Sequence, residues 1–172
     1  HVDGSLKIID GVARVGAGAT ITIPGRMEPI ELAWRVEGAT SACLGEMFAI
    51  RMAMEWLQVS GLGRGRYVVL VCDCLSALDE LVAATHSSLN TVGARRAVEG
   101  WRWGVVLTWA PSHVKLEGNE DADRLAKAGA ANVDEEYPVV HADLDFIAVK
   151  GRIKSAALKW WELAWGADAK NC

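Results

Sequence analysis

The sequence predicts an α/β fold: a five-stranded mixed sheet flanked by helices, with a C-terminal helical extension. Three observations predict it. The first third is rich in glycine and β-branched residues broken by turn signals, which reads as an antiparallel meander. The middle alternates helical segments with short, wholly apolar runs, which reads as βα units with parallel strands. The last forty or so residues carry one long amphipathic pattern after a proline-containing linker.

Each element follows from its own pattern. Asp3 lies in the first strand, although Leu6 to Ile9 alternates poorly. Val15 to Ile23 reads as a strand with close backbone packing, ended by Pro24-Gly25. Ile30 to Val36 is a third strand. Ser41 to Val59 lacks proline, and Leu44, Met47, Phe48, Met52, Trp56 and Leu57 surround it with apolar groups, so this helix is buried on most sides. Gly61-Leu-Gly-Arg-Gly65 stops it. The continuous apolar run Tyr67 to Cys72 suits a strand deep in the sheet. Leu75 to Ala84 and Asn90 to Trp103 are helical, and Val105 to Trp109 is a further buried strand. Asn119 is placed to cap a helix that runs to about Ala131. The core domain is therefore 1–131, followed by a linker and helical extension over 132–172. In the extension, Asp143 to Trp165 reads as one helix or a broken pair, weakest at Gly151.

Composition narrows the function. The 172 residues are 51% hydrophobic and 23% charged, enough for a sizeable core and too apolar for wholesale disorder. The net charge of −4 excludes binding nucleic acid by bulk positive charge, so such a role needs a local basic patch or metal ions. No run of 18 apolar residues exists to cross a membrane. Cys43, Cys72, Cys74 and Cys172 have no zinc-binding spacing and read as reduced thiols of an intracellular protein.

Four acids stand at strand ends and helix starts. Asp3 is on the first strand, and Glu46 sits in a helix with little room for charge. Asp73 directly follows a buried strand, where open α/β sheets place their sites. Asp123 lies near the start of the helix after the polar loop. Singly, each has an ordinary structural role as a turn, cap or dipole partner. Together, converging carboxylates need cations to hold them. Hard divalent ions take oxygen ligands, and a pair about 4 Å apart forms a phosphoryl-transfer centre. His113, on the loop before Asp123, is a candidate proton carrier.

These residues resemble the type 1 ribonuclease H family. The carrying motifs are Asp3-Gly4-Ser5, Ser41 followed five positions later by Glu46, Cys72-Asp73-Cys74, and Trp109-Ala-Pro-Ser-His113 followed by Asn119-Glu120 and Asp123. The tail, with Pro138, His141-Ala-Asp-Leu144 and Trp160-Trp-Glu-Leu-Ala-Trp165, is similar to the segment after this domain in non-LTR retrotransposon polyproteins. The resemblance implies the ribonuclease H-like fold, with Asp3, Glu46, Asp73 and Asp123 as catalytic metal ligands for two Mg²⁺ ions, Mn²⁺ being a substitute. It implies His113 as a loop histidine, and Ser5, Ser41 and Asn119 as substrate contacts. The implied partners are an RNA/DNA hybrid and the rest of a reverse transcriptase polyprotein, in the nucleus or cytoplasm within a retroelement ribonucleoprotein. With two residues before Asp3, the first strand reads as truncated. Leu75 stands where many members have glutamine, which removes an amide that recognises the RNA strand. Arg95, Arg96 and Arg102 read either as a solvated face or as part of a basic substrate surface. The implied activity is hydrolysis of the RNA strand, and the alternative is a catalytically inactive hybrid-binding or scaffolding domain.

Overall fold

The computed structural model describes residues 1–83, 88–112, 114–132 and 136–143, together with Lys154 and Ala157. The elements are β1 (Val2–Ile9), β2 (Val12–Ile21), β3 (Ile30–Glu37), α1 (Ala42–Ser60), β4 (Val68–Cys72), α2 (Leu75–Val82), α3 (Leu89–Glu99), β5 (Val105–Trp109), α4 (Glu117–Ala131) and β6 (Val139–His141). They form the expected α/β fold around one mixed sheet, in the order β5-β4-β1-β2-β3-β6.

The meander is antiparallel, with β1 on β2 and β2 on β3. Ile9 pairs with Val12, so Asp10 and Gly11 alone make the turn. Both have positive φ, 52° and 74°, the geometry of the two-residue hairpin whose twist matches its strands. β4 runs parallel to β1 and β5 parallel to β4.

The sheet has six strands where the sequence predicts five. Val139–His141 pairs in parallel with Arg35–Glu37 at the β3 edge, so part of the predicted linker belongs to the sheet. Three residues behind a proline are too short to show an alternating pattern. A second difference concerns β5. It is an edge strand with Val106 and Trp109 about half exposed, not a buried one. The predicted helix over 143–165 lies outside the described residues, apart from Lys154 and Ala157, which are helical and exposed.

Helix α1 crosses one face of the sheet, with α3 and α2 packed beside it, and α4 covers β1, β2 and β3 on the other face. Met47, Phe48, Ile50, Met54 and Leu57 of α1 bury against Val15, Val36, Leu70 and Cys72 of the sheet. Ser41 caps α1: its hydroxyl accepts from the Leu44 amide at 3.2 Å. Gly61, at φ 68°, ends α1 in the left-handed conformation. No helix among the described residues is long and apolar enough to cross a membrane.

Candidate active site

The site sits where the start of β1 meets the end of β4. Val2 pairs with Cys72, so the next residue on each strand, Asp3 and Asp73, is a neighbour of the other. Glu46 comes from the second turn of α1, and its approach depends on a missing side chain. A Cβ on Gly4 would lie 2.3 Å from the Glu46 backbone nitrogen, so only glycine lets α1 rest this closely on β1. The Asp3-Gly4 pair thus supplies a carboxylate on one face and the contact for the next carboxylate on the other. Gly18 does the same for α4, since a Cβ there would lie 2.2 Å from the Ala122 carbonyl.

Asp3, Glu46 and Asp73 each bring a carboxylate oxygen to within 4.8 Å of the others. They line a cavity of about 220 Å³ together with Gly4, Ser112, Asn119, Glu120 and Asp123. Asp3 and Glu46 are buried, at 7% and 3% exposure. Burial pushes the Glu46 carboxyl up to about 10, and the adjacent Asp3 charge adds to it. Burial also pushes Asp3 up to about 6, with Asp73 and Asp123 adding and a hydrogen bond from Glu46 pulling the other way. The pair therefore shares a proton at neutral pH. The Cys72 thiol donates to Glu46 Oε2 at 3.5 Å, and burial pushes that thiol far up, so it stays protonated.

Asp73 is held by groups around it. Asn119 Nδ2 donates to Asp73 Oδ2 at 3.2 Å, and Trp109 Nε1 donates to the Asp73 carbonyl at 2.9 Å. Asn119 is not the helix cap that the sequence predicts. The helix begins two residues earlier at Glu117, with Leu116 at the cap position, and Asn119 lies inside the first turn. Its side chain is thereby free to reach Asp73.

Asp123 lines the same cavity but stands outside the close trio. Lys127, one turn along α4, donates to Asp123 Oδ2 at 2.6 Å, and this bond raises the lysine pKa. Ser5 is half-buried on β1 and, like Ser41, is not among the residues lining the cavity. His113 lies outside the described residues. Ser112 and Glu120 do line the cavity, and the motifs around them were the sequence signal for it.

The arginines divide. Arg95 donates to the carbonyls of Glu80, Leu81 and Ala83, tying down the end of α2. That makes it a structural residue at a helix terminus rather than part of a solvated face. Arg102 stacks on Trp103, 5.5 Å from the ring centroid, and Arg96 is exposed.

The donor set fits hard divalent cations. It is all oxygen and clustered, with Asp3 and Glu46 buried and Asp73 half-buried, and its charge is unfavourable without a counterion. The buried Asn119 Oδ1 has no hydrogen-bond partner among the described residues and adds one more oxygen beside Asp73.

No family model and no curated protein matches the chain. Solved structures do. Ribonuclease H1 from the halophilic archaeon Halobacterium salinarum NRC-1 superposes with a TM-score of 0.56 at 22% identity, over 78% of this chain and 95% of that one. LC9-RNase H1, a type 1 ribonuclease H with the type 2 active-site motif, gives 0.56 at 19% identity, over 76% and 70%. The protease-reverse transcriptase of prototype foamy virus gives 0.57 at 17% identity, over 76% of this chain and 20% of that one. The likeness establishes the fold: this chain has the fold of ribonuclease H.

Proposed function

We propose that the chain is a metal-dependent endonuclease that hydrolyses the RNA strand of an RNA/DNA hybrid, as one domain of a retrotransposon reverse transcriptase polyprotein. One observation carries this reading: the buried carboxylates of Asp3 on β1 and Glu46 on α1 and the half-buried carboxylate of Asp73, just after β4, meet within 4.8 Å on a ribonuclease H fold. A protein has no structural reason to bury like charges together, and the cost is recovered when cations bind. The match to part of a viral protease-reverse transcriptase supports the polyprotein setting.

The roles proposed here rest on the family resemblance, supported at the carboxylates by the geometry. Asp3, Glu46, Asp73 and Asp123 would hold two Mg²⁺ ions, or Mn²⁺ in their place. Such ions supply activation of the attacking water and charge stabilisation of the leaving oxygen. Asp3, whose carboxylate lies within 4.8 Å of both Glu46 and Asp73, would contribute to holding the ions. To serve as ligands, Glu46 would have to lose its proton and Asp123 its bond from Lys127. Asn119 keeps Asp73 oriented. His113 moves protons or helps products leave. Ser41, at the amino end of α1, grips a DNA-strand phosphate where the helix dipole favours negative charge, and Ser5 and Asn119 contact the substrate. Selection of hybrid comes from groove shape and 2′-hydroxyl contacts rather than base edges.

A second reading, an inactive hybrid-binding or scaffolding domain, has two observations in its favour. Asp123 is paired with Lys127 at 2.6 Å, and Leu75 stands 55% exposed where an amide would recognise RNA. Incubating labelled hybrid, duplex RNA and duplex DNA with the protein, in Mg²⁺ or in EDTA, separates them. The nuclease reading expects cleavage of the hybrid alone, and only with Mg²⁺. Hybrid binding without cleavage at any Mg²⁺ or Mn²⁺ concentration favours the second reading.

A further inference from the structure

Arginines gather at one end of β4 and β5, although the chain carries a net charge of −4. The two strands run parallel, with Val68 opposite Val105, so the segments that lead into them, 61–67 and 101–104, lie side by side. Trp101 Nε1 donates to the Arg66 carbonyl at 3.0 Å, and the Val68 amide donates to the Gly104 carbonyl at 3.0 Å. Together the two segments expose Arg64, Arg66, Tyr67, Arg102 and Trp103, and neither contains an acidic residue. The carboxylate cluster is at the other end of β4. Tyr67 precedes Asp73 by six positions, about 20 Å of extended chain.

The charges here are left unneutralised. Arg35 pairs with Glu37, Arg51 with Glu55 and Asp143, and Arg124 with Glu31 and Asp121. Arg64, Arg66 and Arg102 form no ion pair among the described residues. Arg66 donates to the Pro24 carbonyl at 3.3 Å, and Arg102 lies over the Trp103 ring. Three neighbouring cations on an acidic protein make a local positive field suited to a polyanion.

We propose that this surface binds single-stranded nucleic acid, apart from the carboxylate site. The arginines take backbone phosphates. Tyr67 and Trp103, 69% and 37% exposed, offer rings on which bases stack. The exposed rings favour a nucleic acid over an acidic polypeptide, which needs only the charge. Stacking and phosphate contacts read neither base edges nor the 2′-hydroxyl, so RNA and DNA strands share the chemistry that this surface recognises.

The test is fluorescence anisotropy of the whole chain with labelled oligouridylate and oligothymidylate of about 15 nucleotides, a length within the span of such surfaces. EDTA is present, so the proposed nuclease reaction plays no part and its failure would not touch this result. Both strands should bind, within about threefold of each other. Arg64→Gln with Arg102→Gln removes two cations that make no hydrogen bond among the described residues. This variant should bind about tenfold more weakly, with the slope of log K against log salt smaller by about 1.4. Tyr67→Ala should weaken binding about fivefold or more. Arg35→Gln with Arg124→Gln takes the same charge from other surfaces and should bind within about twofold of wild type. Circular dichroism confirms that each variant is folded. Absence of wild-type binding in about 50 mM salt would overturn the proposal, as would wild-type affinity in the Arg64/Arg102 variant or an equal loss in the Arg35/Arg124 variant. Undiminished binding by Tyr67→Ala, with polyglutamate displacing the strand at matched charge, would overturn it in favour of an acidic polypeptide.

Discussion

Val2 lies opposite Cys72, and this single rung of parallel pairing sets Asp3 beside Asp73. Everything else at the site is arranged around that rung. Gly4, the residue after Asp3, admits α1 with Glu46, and Gly18 admits α4 with Asp123. The carboxylates are thus fixed by backbone contacts, which do not depend on the charge they carry.

The buried pair Asp3 and Glu46 makes stability depend on pH. Both carboxyls have folded values raised above their ordinary ones, to about 6 and about 10. Their contribution is therefore fully present below about pH 4 and is lost as pH rises towards about 10. In EDTA, the wild-type Tm should fall relative to that of Glu46→Gln as pH goes from 6 to 9, because the glutamine has no proton to lose. Parallel Tm profiles in differential scanning fluorimetry would show that Glu46 carries no strained charge.

Gly4→Ala should destabilise the protein by roughly 1–3 kcal/mol, the usual cost of overpacking. The added methyl meets the α1 backbone at 2.3 Å, and backbone cannot swing aside as a long side chain can. Because α1 carries Glu46, cleavage per folded molecule should fall as well. Denaturant unfolding together with a rate normalised to folded protein checks both effects. A wild-type midpoint would mean that α1 rests less firmly on β1 than this contact indicates.

Arg95→Ala should lower stability by about 1–2 kcal/mol and leave cleavage unchanged. Its guanidinium satisfies the carbonyls of Glu80, Leu81 and Ala83 at the end of α2, far along that helix from Asp73. A hybrid-affinity loss with an unchanged Tm would instead make it a substrate contact.

The four acids were legible in the sequence because each stands at a break in pattern: a strand end, a helix too apolar for charge, the end of an apolar run, a helix start. The roles of the groups around them were not. Asn119 reads as a cap from its position before a helical pattern, and only the earlier helix start at Glu117 turns it towards Asp73. Arg95 reads as surface charge because the carbonyls it satisfies lie at the end of another helix, 12 to 15 residues away. β5 reads as buried because its residues are apolar, yet no helix among the described residues covers its outer face. The Asp10-Gly11 turn is a local signal of the hairpin, masked by the weak alternation of Leu6 to Ile9.

The central claim is that the carboxylate cluster is a catalytic metal centre, and Asp73→Asn tests it most directly. The amide keeps the size and the bond capacity of the side chain while removing the charge that binds cations. The measurement is the single-turnover rate on labelled RNA/DNA hybrid in saturating Mg²⁺, with circular dichroism confirming the fold. The account predicts a folded protein with an unchanged or raised Tm in EDTA and cleavage reduced to background. A folded Asp73→Asn that cleaves hybrid at the wild-type rate would contradict it.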